Sequence, residues 1–155
     1  MICVGRLKEK YFIQACGEYL KRLSRDCDIS VSEIEEIRLP QNPSRAEIDS
    51  ALAKEAEQIR RRLRKGAFIA AMCVEGELFS SEKLAAEMER RALGGYTSST
   101  FVIGGSYGLD AGLKKEADVM LSMSKMTFPH HLARVMLLEQ IYRAFRIRAG
   151  SEYHK

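Results

Sequence analysis

The sequence predicts a single α/β domain over residues 1–155, built on a parallel β-sheet with helices on both faces, and three observations support this prediction. Short apolar runs alternate with longer segments whose apolar residues recur every three or four positions, which is the pattern of strands alternating with amphipathic helices. Residues 67–74 are apolar throughout, as expected of a central strand that helices cover on both faces. A chain of 155 residues with 46% hydrophobic content is also large enough to bury one core.

Two strands and two helices are predicted in the first part of the chain. Residues 1–5 indicate a strand, and residues 8–23 indicate a helix because aromatic and apolar side chains recur on one face. Apolar residues between 29 and 37 predict a second strand. Ser44 and Glu47 have the spacing of a capping box, and apolar residues then recur helically. The arginines and the lysine at the end of this helix complement its negative terminus, and a phosphate-binding patch is the alternative interpretation.

Three strands and three helices are predicted in the second part, in the order strand 67–74, helix from about 80, strand from 101, helix near 110–116, strand from 119 and helix from 130. Residues 75–77 are predicted to turn the chain, Ser80 or Ser81 to cap the following helix, and the glycine pair 94–95 to end it. The order βαβαβαβαβα implies a parallel sheet. Pattern alone favours an unknotted Rossmann-like or flavodoxin-like topology, because knots are very rare.

Two loops follow predicted strands at their carboxyl ends, about 20 residues apart. The first begins at Gly104-Gly105, where paired glycines let backbone N–H groups approach a ligand closely. The second ends at Pro129, which suits a first helical position, with Thr127 near enough to be a cap, so free N–H groups are expected at a positive helix end. Each loop alone also fits an ordinary strand-to-helix turn. Together they predict a ligand site, because open α/β sheets bind ligands at this edge.

Composition limits the classes of function. A net charge of +4 permits nucleic-acid binding, whereas 21 acidic residues argue against a simple polycationic binder. The four cysteines form no C-x-x-C pair and have no clustered histidines, so we expect neither a metal site nor a disulfide framework. The longest apolar runs are far shorter than a membrane span and no signal peptide is visible, so we expect a cytoplasmic protein with no membrane partner.

Four segments in the last third of the chain carry a family resemblance: IGGSYGL, the S-x-x-T-x-P-H pattern ending at His130, the helical pattern R-V-x-L-x-E-x-x-Y-R-A, and the terminal Tyr153-His154-Lys155. Together they resemble the ribosomal RNA large-subunit methyltransferase H family, a branch of the SPOUT-class methyltransferases, over the whole chain. The resemblance implies a C-terminal deep trefoil knot, tied by the loops after about residues 74 and 103 and by the final helix. It also implies a homodimer, a ribosomal RNA partner, S-adenosylmethionine as cofactor, and no metal.

The resemblance further implies methylation on ring N3 of a pseudouridine in large-subunit ribosomal RNA. Its cofactor positions correspond to Met72, Gly105, Ser124, Lys125, Met126, Thr127, Phe128 and Pro129. The ring nitrogen carries a proton in neutral water, so a base or strong orienting donors are needed. The candidate catalytic residues are His130, Arg143, Tyr153 and His154.

The last helix is apolar around more than one stripe, so we expect it to be buried on two sides, the second against a partner subunit. Its arginines are candidates for phosphate contacts, with Arg143 first and Arg134 and Arg146 as weaker candidates. Two further hypotheses remain open. One is a non-enzymatic RNA-binding or ribosome-associated protein. The other is a nucleotide-dependent enzyme on an unknotted sheet, which is weakened because the chain has no G-x-G-x-x-G pattern.

Overall fold

The computed structural model describes residues 1–151 and 153, and strands alternate with helices throughout this part of the chain. The elements are β1 (Ile2–Val4), α1 (Lys10–Leu23), β2 (Ser32–Ile34), α2 (Arg45–Arg60), β3 (Ala67–Leu78), α3 (Ser81–Leu93), β4 (Ser98–Ile103), α4 (Ala111–Glu116), β5 (Val119–Ser122) and α5 (His130–Arg148). The predicted order of strands and helices is confirmed.

The five strands form one parallel sheet in the order β2-β1-β4-β3-β5. Parallel pairing places the carboxyl ends of all five strands at the same edge, as the sequence predicts. The α/β class with a parallel sheet is therefore confirmed, and the trefoil knot stays a prediction.

Helices cover both faces of the sheet and enclose two apolar cores. Residues of α1, α3 and α5 pack on one face around Phe101 and Ile103, whereas α2 and α4 pack on the other face around Val102. Successive side chains of a strand point to opposite faces. The run Phe101-Val102-Ile103 is apolar throughout because it supplies both cores.

Strand β2 is shorter than the predicted strand over residues 29–37, because it ends at Ile34. Beyond that point the backbone N–H of Ile37 donates to the carboxylate of Glu55 on α2, at 2.8 Å. A side chain from a helix thus replaces the ladder partner that a longer strand would need. The capping box at Ser44 and Glu47 forms as predicted, and Ser80 caps α3 through the N–H of Lys83.

The predicted turn at residues 75–77 is wrong, since β3 continues to Leu78. Its pairing with β5 shifts register between Met72 and Glu77. Gly76 lies in this shifted segment, where a Cβ would come within 2.7 Å of the Met120 carbonyl group. The glycine is needed because two backbones approach closely, which local sequence does not reveal.

Arg134, expected as a weak phosphate candidate, is instead buried in the interior with 1% of its surface exposed. Its guanidinium donates to the Glu33 carboxylate at 2.6 Å and to the carbonyl oxygens of Val4 and Gly5 at 2.9 and 2.8 Å. A group held in this way cannot meet an external phosphate. It joins α5 to the ends of β1 and β2.

We predict that Gly76→Ala destabilises the fold by about 1–3 kcal/mol, the usual range for overpacking a well-packed interior. The added methyl group would collide with backbone atoms of β5, which cannot rotate away as a side chain can. Urea unfolding followed by circular dichroism measures the effect.

The matched control is Gly17→Ala on α1, where a Cβ would meet nothing within 4 Å. This substitution should leave stability unchanged or raise it by up to about 1 kcal/mol, because alanine favours a helix over glycine. Equal effects of the two substitutions would contradict the close-approach explanation for Gly76.

Candidate active site

A pocket of about 810 Å³ opens at the carboxyl ends of β3, β4 and β5, within the usual size range for small-molecule sites. Its wall comes from residues 72–75 of β3, from the glycine loop (residues 104–108) that follows β4, and from the segment between the end of β5 and the first turn of α5. Both loops that the sequence singles out therefore line one cavity. A cavity thus lies where the sequence predicts a ligand site, and ligand binding there stays a prediction.

The glycine loop folds back on itself. The N–H of Gly108 donates to the carbonyl of Gly105 at 3.1 Å, and Gly108 has a φ of 83°, which favours glycine. A Cβ on Gly104 would collide with the backbone of Gly108. These glycines are needed first to close the loop, and the closed loop then presents its outer side to the pocket.

The side of Gly105 on which a Cβ would lie points away from the cavity. An added Cβ would lie 2.5 Å from Oε1 of Glu36 and 3.1 Å from Cγ1 of Val4. The carboxylate of Glu36 also accepts the N–H of Ser106 at 2.7 Å. Glu36 thus supports the glycine loop from behind, a role that no sequence pattern indicates.

The loop after β5 is built by serine side chains. The hydroxyl of Ser122 donates to the carbonyl of Ser124 at 2.8 Å, and the hydroxyl oxygen of Ser124 accepts the N–H of Met126 at 3.0 Å. Two helix-start predictions are wrong here. Pro129 is the N-cap rather than the first helical residue, because its ψ of 138° is not helical, and no side chain in the described part of the chain caps α5, Thr127 included. The first N–H groups of α5 are left without a side-chain partner beside the pocket wall.

An ion pair between Glu75 and Lys114 stands in the pocket wall, with their nearest atoms 2.6 Å apart. The hydrogen bond from Lys114 holds the pKa of the Glu75 carboxyl below its usual value, so this carboxylate is ionised near neutral pH. The sequence predicts a turn at Glu75 and indicates no role for Lys114. The pair joins β3 to α4 across 39 positions of the chain, so local sequence does not reveal it.

His130 is the first residue of α5 and lines the pocket. Burial lowers the pKa of its imidazole, the neighbouring His131 lowers it further, and the carboxylate of Glu36 acts in the opposite direction. The ring is therefore neutral at pH 7 and has a lone pair free to accept a proton. The rings of His130 and His131 lie 3.9 Å apart, and His131 stacks on Phe12 at 6.0 Å.

The structure brings most of the predicted site residues together. The pocket wall contains Met72, Gly105, Ser124, Met126, Thr127, Phe128, Pro129 and His130. Lys125 is exposed and is not among the described lining residues. Arg143 lies 13 positions after His130 on the same helix, which corresponds to about 20 Å along its axis. His154 lies outside the described residues.

Arg143 and Tyr153 belong to a separate cluster with Glu139. The guanidinium of Arg143 donates to Glu139 at 2.7 and 3.0 Å and lies 4.9 Å from the centre of the Tyr153 ring. The hydroxyl of Tyr153 donates to the same carboxylate at 3.3 Å. Burial and Glu139 raise the pKa of this phenol. Arg143 is thus already paired within its own chain, and Arg146 pairs with Asp26.

Comparison with known proteins adds a family match over nearly the whole chain. A family model described as "Predicted SPOUT methyltransferase" matches residues 1–154. The chain is 46% identical over 155 residues to a protein of Bifidobacterium adolescentis, covering 100% of this chain and 98% of the relative. It is 47% identical over 154 residues to one of Pelotomaculum thermopropionicum, covering 99% and 96%. Both relatives are named "Ribosomal RNA large subunit methyltransferase H".

A solved structure also aligns with the chain, that of the SpoU methyltransferase AviRb from Streptomyces viridochromogenes in complex with AdoMet. The TM-score is 0.44 at 14% sequence identity, and the alignment covers 97% of this chain and 58% of that one.

We predict that an NMR titration of His130 gives a pKa below the ordinary value of 6.5, because burial disfavours the charged ring. A group whose pKa is lowered in the folded state contributes to stability at pH values above its unfolded pKa. That contribution is lost as the pH falls through 6.5 towards the folded pKa.

The matching stability measurement compares the free energy of unfolding at pH 7.5 and pH 5.0 in the natural chain and in His130→Gln. The natural chain should lose more stability on acidification than the variant, since glutamine does not titrate. An equal loss in both proteins would show that His130 is not held neutral by the fold.

Proposed function

The chain belongs to the SPOUT methyltransferase family, and from that membership we propose that it transfers a methyl group from S-adenosylmethionine to the RNA of the large ribosomal subunit. The observation that carries the proposal is the family match over residues 1–154, together with relatives of the same length that bear this name. The pocket at the strand ends is the place where the cofactor and the reacting base would meet.

The pocket residues fit the cofactor by their chemistry. Met72, Ile103 and Leu121 give an apolar wall for an adenine, the glycine loop offers backbone groups, and the Glu75–Lys114 pair offers charged partners for a ribose or an amino acid group. When bound, S-adenosylmethionine supplies an electrophilic methyl group on its sulfonium. Of the eight predicted cofactor positions, we propose that Lys125 contributes through its backbone, since its side chain is exposed.

His130 is the proposed proton acceptor. The proposed target is ring N3 of a pseudouridine, whose proton must be removed for the nitrogen to accept a methyl group. His130 is neutral at pH 7 and lies in the pocket wall, where a base inserted into the cavity can reach it. Its lone pair would orient the N3–H and then take the proton as the nitrogen attacks.

Arg143 and Tyr153 can serve the same centre only from a second chain. Arg143 lies about 20 Å along α5 from His130, and Tyr153 lies beside Arg143. This separation is too large for one substrate base to touch His130 and Arg143 of the same chain. If two α5 helices pack antiparallel about a two-fold axis near Met136, Arg143 of one chain comes beside His130 of the other. We therefore propose a homodimer with shared active sites, to which His154 also contributes.

The exposed apolar surface supports such an interface. On α5, several large apolar side chains are only half-buried: Leu132, Val135, Met136, Tyr142 and Phe145. On α1, which packs beside α5, Tyr11 and Ile13 expose 63% and 49% of their surface. Large apolar side chains left uncovered in this way are consistent with a contact to another protein.

The described helices include none that is both long enough and apolar enough to cross a membrane. Ribosomal RNA as substrate would place the protein where ribosomes are, so we propose that it works in the cytoplasm.

We expect the purified protein to transfer tritiated methyl groups from S-adenosylmethionine to ribosomes from a strain lacking its gene, and mass spectrometry of the RNA to locate the product on a pseudouridine. Binding of ribosomes without methyl transfer would instead support a non-enzymatic RNA-binding protein.

The companion variant is Gly105→Val, whose bulk displaces Glu36 and the glycine loop. Calorimetry should show its affinity for S-adenosylmethionine reduced by about tenfold or more, roughly 1.4 kcal/mol per factor of ten.

The matched control for this variant is Ser99→Val, because Ser99 is exposed and lies near the amino end of β4. It adds the same side chain at the opposite edge of the sheet and should bind the cofactor normally. A folded Gly105→Val protein with normal affinity would overturn the assignment of the pocket.

We predict that subunits carrying His130→Ala and subunits carrying Arg143→Ala complement each other. Each variant alone should be nearly inactive. Random mixing gives heterodimers in half of the molecules, and each heterodimer has one intact shared site, so about a quarter of the sites should recover. Co-expression with two affinity tags, followed by the methyl-transfer assay, measures this recovery.

Sedimentation of each variant must first show the same dimer as the natural protein. If sites are complete within one chain, no mixed dimer contains an intact site, and the absence of recovery would contradict the shared centre.

A further inference from the structure

Glu36 lies where the ends of three strands meet the start of α5. Gly5, directly after β1, donates its N–H to the carbonyl of Ile34 at 2.9 Å and has a φ of 84°. A Cβ on Gly5 would lie 3.2 Å from Nε2 of His130 and 3.8 Å from Oε2 of Glu36. The imidazole and the carboxylate therefore approach each other across a position that carries no side chain.

The other carboxylate oxygen of Glu36 faces the glycine loop. Oε1 accepts the N–H of Ser106 at 2.7 Å and lies 2.5 Å from the point that a Cβ of Gly105 would occupy. Two glycines from different strands thus leave room for the same carboxylate. Burial alone would raise the pKa of Glu36, but the hydrogen bonds from Ser106 outweigh it and lower the pKa, so the group is ionised at neutral pH.

We propose that Glu36 is a positioning residue for methyl transfer, which holds the glycine loop with one oxygen and acts on the nearby His130 ring through the charge of its carboxylate. The inference rests on the proposed function for the roles of the pocket and of His130. By linking the two, Glu36 fixes the distance between the part of the pocket that would hold the cofactor and the group that would accept the proton. Errors of about 1 Å in such a distance are costly to a reaction.

Charged groups from three elements surround His130. Glu36 after β2 and Glu9 before α1 favour the protonated ring, whereas Arg134 and His131 on α5 disfavour it. When the negative charge of Glu36 is removed, less opposes the effect of Arg134 and His131 on the His130 ring. The pKa of His130 should then fall below its value in the natural chain.

The test compares Glu36→Gln, Glu36→Ala and the control Glu35→Gln, an exposed neighbour. Glutamine keeps an oxygen that can accept the Ser106 N–H but loses the charge. We expect its affinity for S-adenosylmethionine to stay within about threefold of the natural chain, while the NMR pKa of His130 and the acid limb of the kcat profile move together to lower pH. Alanine loses both contacts and should weaken cofactor binding by about tenfold or more. Glu35→Gln should change neither quantity.

Each measurement decides one half of the proposal. An unchanged His130 pKa in Glu36→Gln would overturn the link to the histidine, and unchanged cofactor affinity in Glu36→Ala would overturn the link to the loop. Calorimetry and the NMR titration need no RNA. If the natural protein fails to methylate ribosomes, the proposed function fails, while these two readouts still decide what Glu36 does.

Discussion

The buried guanidinium of Arg134 is the interaction on which the arrangement of the site depends. A cation in the interior must be paired, and removal of one partner of such a pair typically costs about 3–5 kcal/mol. Arg134 meets this demand with the Glu33 carboxylate and two carbonyl oxygens at the end of β1. His130 lies one helical turn before Arg134, so the anchor that fixes Arg134 also fixes the histidine above Gly5.

The same constraint explains why glycine occurs where it does. With α5 held close to the sheet edge, the chain after β1 has no room for a side chain between His130 and Glu36. Gly105 meets the same carboxylate from the other side, and Gly76 lets β3 pass against the backbone of β5. Each of these glycines serves a contact between distant segments. The pocket wall is therefore shaped by packing of the backbone as much as by its side chains.

Sequence patterns predict the features of this protein that are local. The alternation of strands and helices, the capping box at Ser44 and the two ligand loops follow from periodicity and spacing, and the structure contains all of them. Non-local contacts are what the patterns miss. Glu36 and Glu75 look like solvated acids until the fold places them beside the glycine loop and Lys114. Arg134 looks like a free cation on a helix. Arg143 is a candidate for the same catalytic site as His130, although most of the length of α5 lies between them.

The hydrogen bonds from Arg134 to Val4 and Gly5 join residues about 130 positions apart in the chain, and this has a consequence for biosynthesis. Strand β1 can pair with β2 early, but its other neighbour β4 is made about 100 residues later and its anchor on α5 later still. During translation one edge of β1 therefore stays unpaired until most of the polypeptide has left the ribosome. Contacts of such long sequence separation slow folding, and exposed strand edges invite wrong pairing in the meantime. The short length of β1, three residues, limits that hazard because a short edge offers few backbone groups to a competing strand.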